Sequence, residues 1–223
     1  MIAHSTVTIS GDLIRDAKES FKLSLDYVLK GQGVRHGTNA YTPHAFTAYV
    51  ASVASIEAFI NETLLGNLPR TIFPDSSLWI FGDKTLENLN IQEKLIIVPR
   101  LLFDITFSRD TQPYQDFSLL VKVRNAIVHF KMGFDAPKCL PHLSQRGIAL
   151  TAENKVNADY SWPHKLSCTE GIRWAHNTAC KVVQKLIEFV PEEKFPIPKS
   201  MAGNFIEISD QFVQEWFKKN GLM

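Results

Sequence analysis

The sequence predicts an all-α protein, and three observations carry that reading. Apolar residues recur at helical spacing in four long stretches, capping residues or prolines open those stretches, and Gly or Pro closes most of them. Only one segment, 148–162, has a pattern suited to paired strands.

Ser10 stands where an N-cap is expected, and Leu13, Ile14, Ala17, Phe21, Leu25 and Val28 follow with amphipathic periodicity until Gly31 ends the first helix. A glycine-containing stretch to Tyr41 reads as a loop. Thr42 and Pro43 then supply a cap and a first-turn proline. The second helix runs to about Leu65, with a core face of Phe46, Tyr49, Val50, Val53, Ile56, Ile60 and Leu64. Ala48, Ala51, Ala54 and Ala58 let a neighbour approach closely, and Gly66 and Pro69 stop the helix. From Leu68 to Asn90 the mixture of Pro, Gly, Asp and Ser reads as a loop pinned by Leu78-Trp79-Ile80-Phe81. Asn90 and Glu93 have capping-box spacing and open a short helix that Pro99 kinks or ends.

Pro113 begins the next helix, expected from Tyr114 to Met132. Residues 133–166 read as a loop with a hairpin insertion, Ile148–Ala152 against Val156–Trp162. Ser167 and Glu170 form a second apparent capping box, before a helix carrying Ile172, Ala175, Ala179, Val182, Val183, Leu186 and Ile187. Residues 1–190 are thus one helical domain. Residues 191–223 form a Pro-rich linker and a C-terminal helix, with Phe212, Val213, Trp216 and Phe217, packed on the same domain.

Composition narrows the function classes. The 223 residues include 24 Lys+Arg against 23 Asp+Glu, a net charge of +1. Binding to nucleic acid through a broad basic field draws on many Lys/Arg contacts to phosphate, so this balance argues against it and leaves room only for a local polar site. Three Cys without a Cys-x-x-Cys pair fit reduced thiols. No apolar run approaches the roughly 20 residues that span a bilayer. These features lead us to expect a soluble cytoplasmic protein with no membrane association.

The helix after Pro113 carries the most informative residues. At about 100° per residue, Leu119, Leu120, Val123, Ala126, Ile127 and Phe130 fall on one side. The opposite side holds Val121, Val128 and Met132 around Asn125, with His129 roughly 40° to one flank and Arg124 roughly 100° to the other. A helix apolar on both sides packs against two things, and a twofold copy of the chain is the commonest second partner. Val121, Val128 and Met132 are therefore the expected homodimer interface, bordered by Arg124 and His129.

The string Lys122-Val123-Arg124-Asn125-Ala126-Ile127-Val128-His129 resembles the signature of the HEPN family, an Arg, then usually a polar residue, and a His after four to six intervening residues near the middle or end of a helix. Ser55-Ile56-Glu57-Ala58-Phe59-Ile60-Asn61-Glu62 resembles that family's earlier core helix, which often bears an acidic residue near the site. The resemblance spans about residues 10–190. It implies a bundle of four to five helices that dimerises through the motif helices and places two Arg and two His in one cleft. Many members are metal-independent endoribonucleases in toxin–antitoxin, antiviral defence or RNA-processing systems; others are noncatalytic modules that bind RNA, nucleotide or protein.

The residues suit the catalytic version. An imidazole can take the 2′-hydroxyl proton or donate one to the leaving oxygen. Arg124 offers a planar cationic fork for phosphate. Asn125, one turn before His129, can orient the ring or bind phosphate. Lys122 and Lys131 add positive charge for RNA. Glu57 and Asn61, at i and i+4, either hydrogen-bond the motif Arg or His or cap a buried polar pocket. In one toxin branch a Tyr two residues beyond the His is modified by a partner enzyme; here that position is Lys131, so an antitoxin or regulatory protein would act by another route. The competing reading of Arg124 and His129 is a surface Arg and a satisfied His at a structural dimer seam.

No cofactor is expected. Cys139, His142, His164, Cys168, His176 and Cys180 superficially offer zinc ligands, but Cys168 and Cys180 lie some 18 Å apart along one helix. The expected alternative is Cys180 in the core with His176 facing solvent, and no metal site. Trp162, Trp174 and Trp216 are expected to be packing aromatics.

Overall fold

Two long helices, one on each side of the glycine-containing loop, set up the core. The computed structural model describes residues 8–31, 35–36, 39–131, 135–151 and 161–222. Helix α1 (Ile9–Leu29) packs along α2 (Ala45–Thr63), and both pack against α9 (Thr169–Phe189). Between the first two runs a short antiparallel ladder, β1 (Arg35–His36) with β2 (Asn39–Ala40). After α2 come α3 (Asn67–Ile72), a 3-10 turn at Ser77–Ile80, α4 (Asp83–Asn88), α5 (Ile91–Phe103), α6 (Tyr114–Val128), α7 (Leu140–Gln145) and α8 (Trp162–Leu166). Beyond α9 lie α10 (Ile197–Met201), a 3-10 turn at Ala202–Asn204 and α11 (Asp210–Lys219). The fold is all-α, and no helix among the described residues is long and apolar enough to cross a membrane.

Helix α2 is central, touching α1, α5, α6 and α9. Its small residues make this possible. Ala45, Ala48, Ala51, Ser52 and Ser55 are all buried, so neighbouring backbones come close. Tyr49 is fully enclosed, and its hydroxyl donates to the Leu166 carbonyl at 3.0 Å. Burial, and secondarily the nearby Cys168, raises the pKa of that phenol well above its ordinary value. A Cβ on Gly171 would sit 2.2 Å from the Tyr49 hydroxyl, so the crossing of α2 and α9 requires glycine there.

Several boundaries differ from the sequence expectation. Thr8 rather than Ser10 caps α1, accepting from the Gly11 N–H, while the Ser10 hydroxyl donates to Glu62 of α2 at 2.6 Å. Val50, assigned to the core face of α2, is 39% exposed. Residues 67–88 are largely short helices rather than loop; Leu78 anchors them in the core, whereas Ile80 and Phe81 are exposed. The Asn90/Glu93 capping box is present in full. Pro99 does not end α5, which continues to Phe103 and closes on Asp104 in the left-handed region at φ 59°, a conformation that a short polar side chain tolerates.

Helix α6 stops at Val128, with His129 as its C-cap, and does not reach Met132. Met132 and residues 152–160, the middle of the expected hairpin, lie outside the described residues. The flanking parts of that hairpin are not strands: 148–151 is irregular, and Trp162 opens α8. Ser167 makes no capping box with Glu170; its hydroxyl donates to the Pro163 carbonyl. The start of α9 is capped from a distance, Asn39 Oδ1 accepting from the Glu170 N–H at 3.2 Å and from the Thr169 hydroxyl at 3.3 Å. Past residue 190, Phe195, Phe205, Ile208, Val213 and Phe217 all join the main core, while Phe212 is exposed.

Candidate functional site

Helix α6 buries Tyr114, Phe117, Leu120, Val121 and Val123, so its first three turns are committed to the core. Its last turn is not. Val128 is 53% exposed, His129 is exposed, and Phe130 is 41% exposed with its ring edge-on to Trp162 at 5.6 Å. The helix is thus apolar on two sides only in its sequence. Val121, expected at a dimer interface, is 6% exposed and packs inside the subunit. The expected ridge of three residues reduces, among the described residues, to Val128.

Arg124 and Asn125 sit where the buried and exposed parts of α6 meet. Together with Glu57, Asn90, Ile91, Gln92 and Val121 they line a cleft of about 400 Å³. Arg124 is partly buried, and its Nε–H is enclosed without a hydrogen-bond partner among the described residues. A buried donor left unmade typically costs about 1–3 kcal/mol. Asn125 is exposed, and its backbone carbonyl accepts from the His129 N–H at 3.0 Å, closing the final turn. His129 itself is not among the residues lining the cleft. Lys122 and Lys131 are exposed on the same stretch of chain.

Glu57 and Asn61 do not bond the motif residues. Both accept from Lys94 Nζ, Glu57 Oε1 at 3.0 Å and Asn61 Oδ1 at 3.2 Å. The Lys94 side chain is only 2% exposed, while that of Glu57 is 38% exposed and faces the cleft. Stripping the partner from a buried ammonium costs roughly 3–5 kcal/mol where the pair is fully enclosed, and less here because water reaches Glu57. Sequence reasoning gave Lys94 no role, although a signal was present. Lys94 stands in phase with Ile91, Leu95 and Val98 on the buried face of α5, a place where a lysine needs a partner.

Cys168, His176 and Cys180 are buried in the interior. His176 is fully buried rather than facing solvent, with Nδ1 3.2 Å from Asn177 Oδ1 and 3.7 Å from Cys180 Sγ. The Cys168 thiol is enclosed and donates to the Ile148 carbonyl, and burial pushes its pKa up to about 12. Cys139 is partly buried, which raises its pKa, while the positive charge of Lys122 pulls in the other direction. Among the described residues no three of His, Cys, Asp and Glu come together as a metal-binding group. Trp162, Trp174 and Trp216 all pack against the core. Compared with protein-family models, curated proteins and solved structures, the chain finds no match in any of the three.

Proposed function

We propose that this chain is a metal-independent endoribonuclease of the HEPN type, working as a homodimer in a toxin, antiphage or RNA-processing role. The observation that carries the proposal is Arg124: a cation on a cleft wall with an enclosed donor that has no partner among the described residues, about one and a half turns before an exposed His129. Arg124 and Asn125 would hold the scissile phosphate. One His129 takes the proton from the ribose 2′-hydroxyl as O2′ attacks phosphorus. The bond from phosphorus to O5′ breaks, and the second subunit's copy of that histidine supplies the proton to O5′. The products are a 2′,3′-cyclic phosphate and a 5′-hydroxyl. The exposed Lys122 and Lys131 add local charge for the RNA strand, and an antitoxin or regulatory protein would act by covering this face.

Purified protein incubated with RNA in EDTA should generate cyclic-phosphate ends, and Arg124→Ala and His129→Ala should each abolish cleavage while leaving the thermal midpoint nearly unchanged. Activity lost in EDTA and restored by magnesium would overturn the mechanism. The place of His129 outside the cleft lining favours a second reading, a noncatalytic dimeric module that binds RNA, nucleotide or protein. RNA retained but not cut by wild type would establish that reading.

A further inference from the structure

Glu57 on α2 and Arg124 on α6 line the same cleft with opposite charges, yet they do not pair. The guanidinium has no carboxylate partner among the described residues. Lys94 accounts for this. Its ammonium is enclosed and has two acceptors, Glu57 Oε1 and Asn61 Oδ1, so Glu57 is held toward α5. An enclosed charge needs its counterion more than a partly exposed one does, because water solvates Arg124 in part and Lys94 hardly at all. The count of charge follows. Lys94 offsets Glu57, and among the described residues the cleft is left with one uncompensated cation, that of Arg124.

We propose that Lys94 is a positioning residue that keeps Glu57 off Arg124 and so leaves the guanidinium open to a backbone phosphate of RNA. The ligand class rests on the ribonuclease reading above; the competition between Lys94 and Arg124 for Glu57 does not. With Lys94 replaced by an apolar residue, Glu57 loses its counterion and turns to the cation across the cleft. Arg124 is then neutralised by its own protein. Removing the Glu57 charge as well restores the open guanidinium.

Two measurements on the full chain test this. The first needs no RNA: the Arg124 Nε–H resonance is followed in wild type, Lys94→Met, Lys94→Met/Glu57→Gln and Lys94→Arg. It should move in Lys94→Met, toward a hydrogen-bonded position, and return in the double variant and in Lys94→Arg. The second is anisotropy titration of a fluorescent single-stranded 2′-deoxy oligonucleotide, which lacks the attacking hydroxyl. Lys94→Met should weaken binding by about tenfold, the scale of one lost charged hydrogen bond. It should also flatten the slope of log K against log salt by about 0.7, the equivalent of one phosphate contact on a single strand. The double variant should recover both.

A resonance unmoved in Lys94→Met, or an affinity loss that Glu57→Gln does not rescue, overturns the positioning role even if wild type cleaves RNA. If Lys94→Met does not fold, the double variant and Lys94→Arg decide the matter, since both must match wild type in affinity and slope. A moved and rescued resonance in a protein that neither binds the oligonucleotide nor cuts RNA would sustain the competition for Glu57 and overturn the phosphate ligand together with the ribonuclease reading.

Discussion

His176 is an imidazole with no exposed surface, and burial, aided by the positive charge of Lys18 and opposed by the hydrogen bond to Asn177, lowers its pKa to about 4. In an unfolded chain a histidine titrates near about 6.5. Between these values the unfolded state binds a proton that the folded state refuses, so stability falls as pH drops through that window. The contribution is complete above about 6.5 and gone below about 4, and its upper bound is roughly 3–4 kcal/mol. The urea midpoint should therefore drop between pH 7 and pH 4.5, and His176→Gln should remove most of that drop; an identical dependence in both proteins would show that other groups cause it. The burial of His176 was legible in the sequence but misread. It lies one turn from Cys180, so the same periodicity that places the cysteine in the core places the imidazole there too. Lys94 teaches the same lesson, since its phase with Ile91 and Leu95 says that it is buried, and only the fold says that Glu57 is what it meets.

At the scale of elements, the phases of α1, α2 and α9 and the opening of α5 were readable because they depend on residues three or four apart. The caps of α1 and α9 were not. Glu62, on α2, receives the Ile9 N–H at 2.8 Å beside the local cap from Thr8, and Asn39, on β2, receives the Glu170 N–H, so each helix start draws an acceptor from far away in the chain. A local box at Ser167 and Glu170 fits the same sequence, and tertiary structure supplies a competitor for it. Asn39 also donates to the Gly147 carbonyl at 3.0 Å, so it ties the ladder to the turn after α7 and to the start of α9 together. Asn39→Ala should lower stability by about 1–2 kcal/mol, seen as a fall of several degrees in the thermal midpoint, on the order of 2–4 °C per kcal/mol for a chain of this size. No fall would mean that water replaces the side chain without loss. The short helices between residues 67 and 88 were missed for a different reason: pieces of about one turn to a turn and a half leave too few residues for a period to register.

For the whole molecule, the proposed dimer rests on the last turn of α6. Val128→Glu introduces a charge at a position 53% exposed, away from the buried stripe of Leu120, Val121 and Val123. Light scattering should then report a monomer with unchanged helical circular dichroism, and cleavage should be lost with the partner's histidine. A wild-type monomer, or a fully active dimeric Val128→Glu, would move the interface elsewhere. The outline of the bundle was visible in the sequence, but the two-sided apolar character of α6 was not a guide to its surface, because Val121 is buried inside the subunit and the helix ends one turn early.

The segment after α9 carries a consequence for how the protein is made. Asn177 on α9 clasps Ile208 by both its N–H, at 2.8 Å, and its carbonyl, at 2.9 Å, while Phe205 meets Phe59 of α2 edge-on at 5.6 Å. Five apolar side chains from this segment enter the common core, and at roughly 1.5–3 kcal/mol each they rival the whole net stability of an ordinary domain, about 5–15 kcal/mol. Residues made after α9 therefore seal an interior whose walls, α1 and α2, are synthesised well before them. Until they emerge, α1 and α2 wait with an open seam, and a message broken or a ribosome stalled before residue 205 yields a chain that quality control can recognise by its exposed apolar surface.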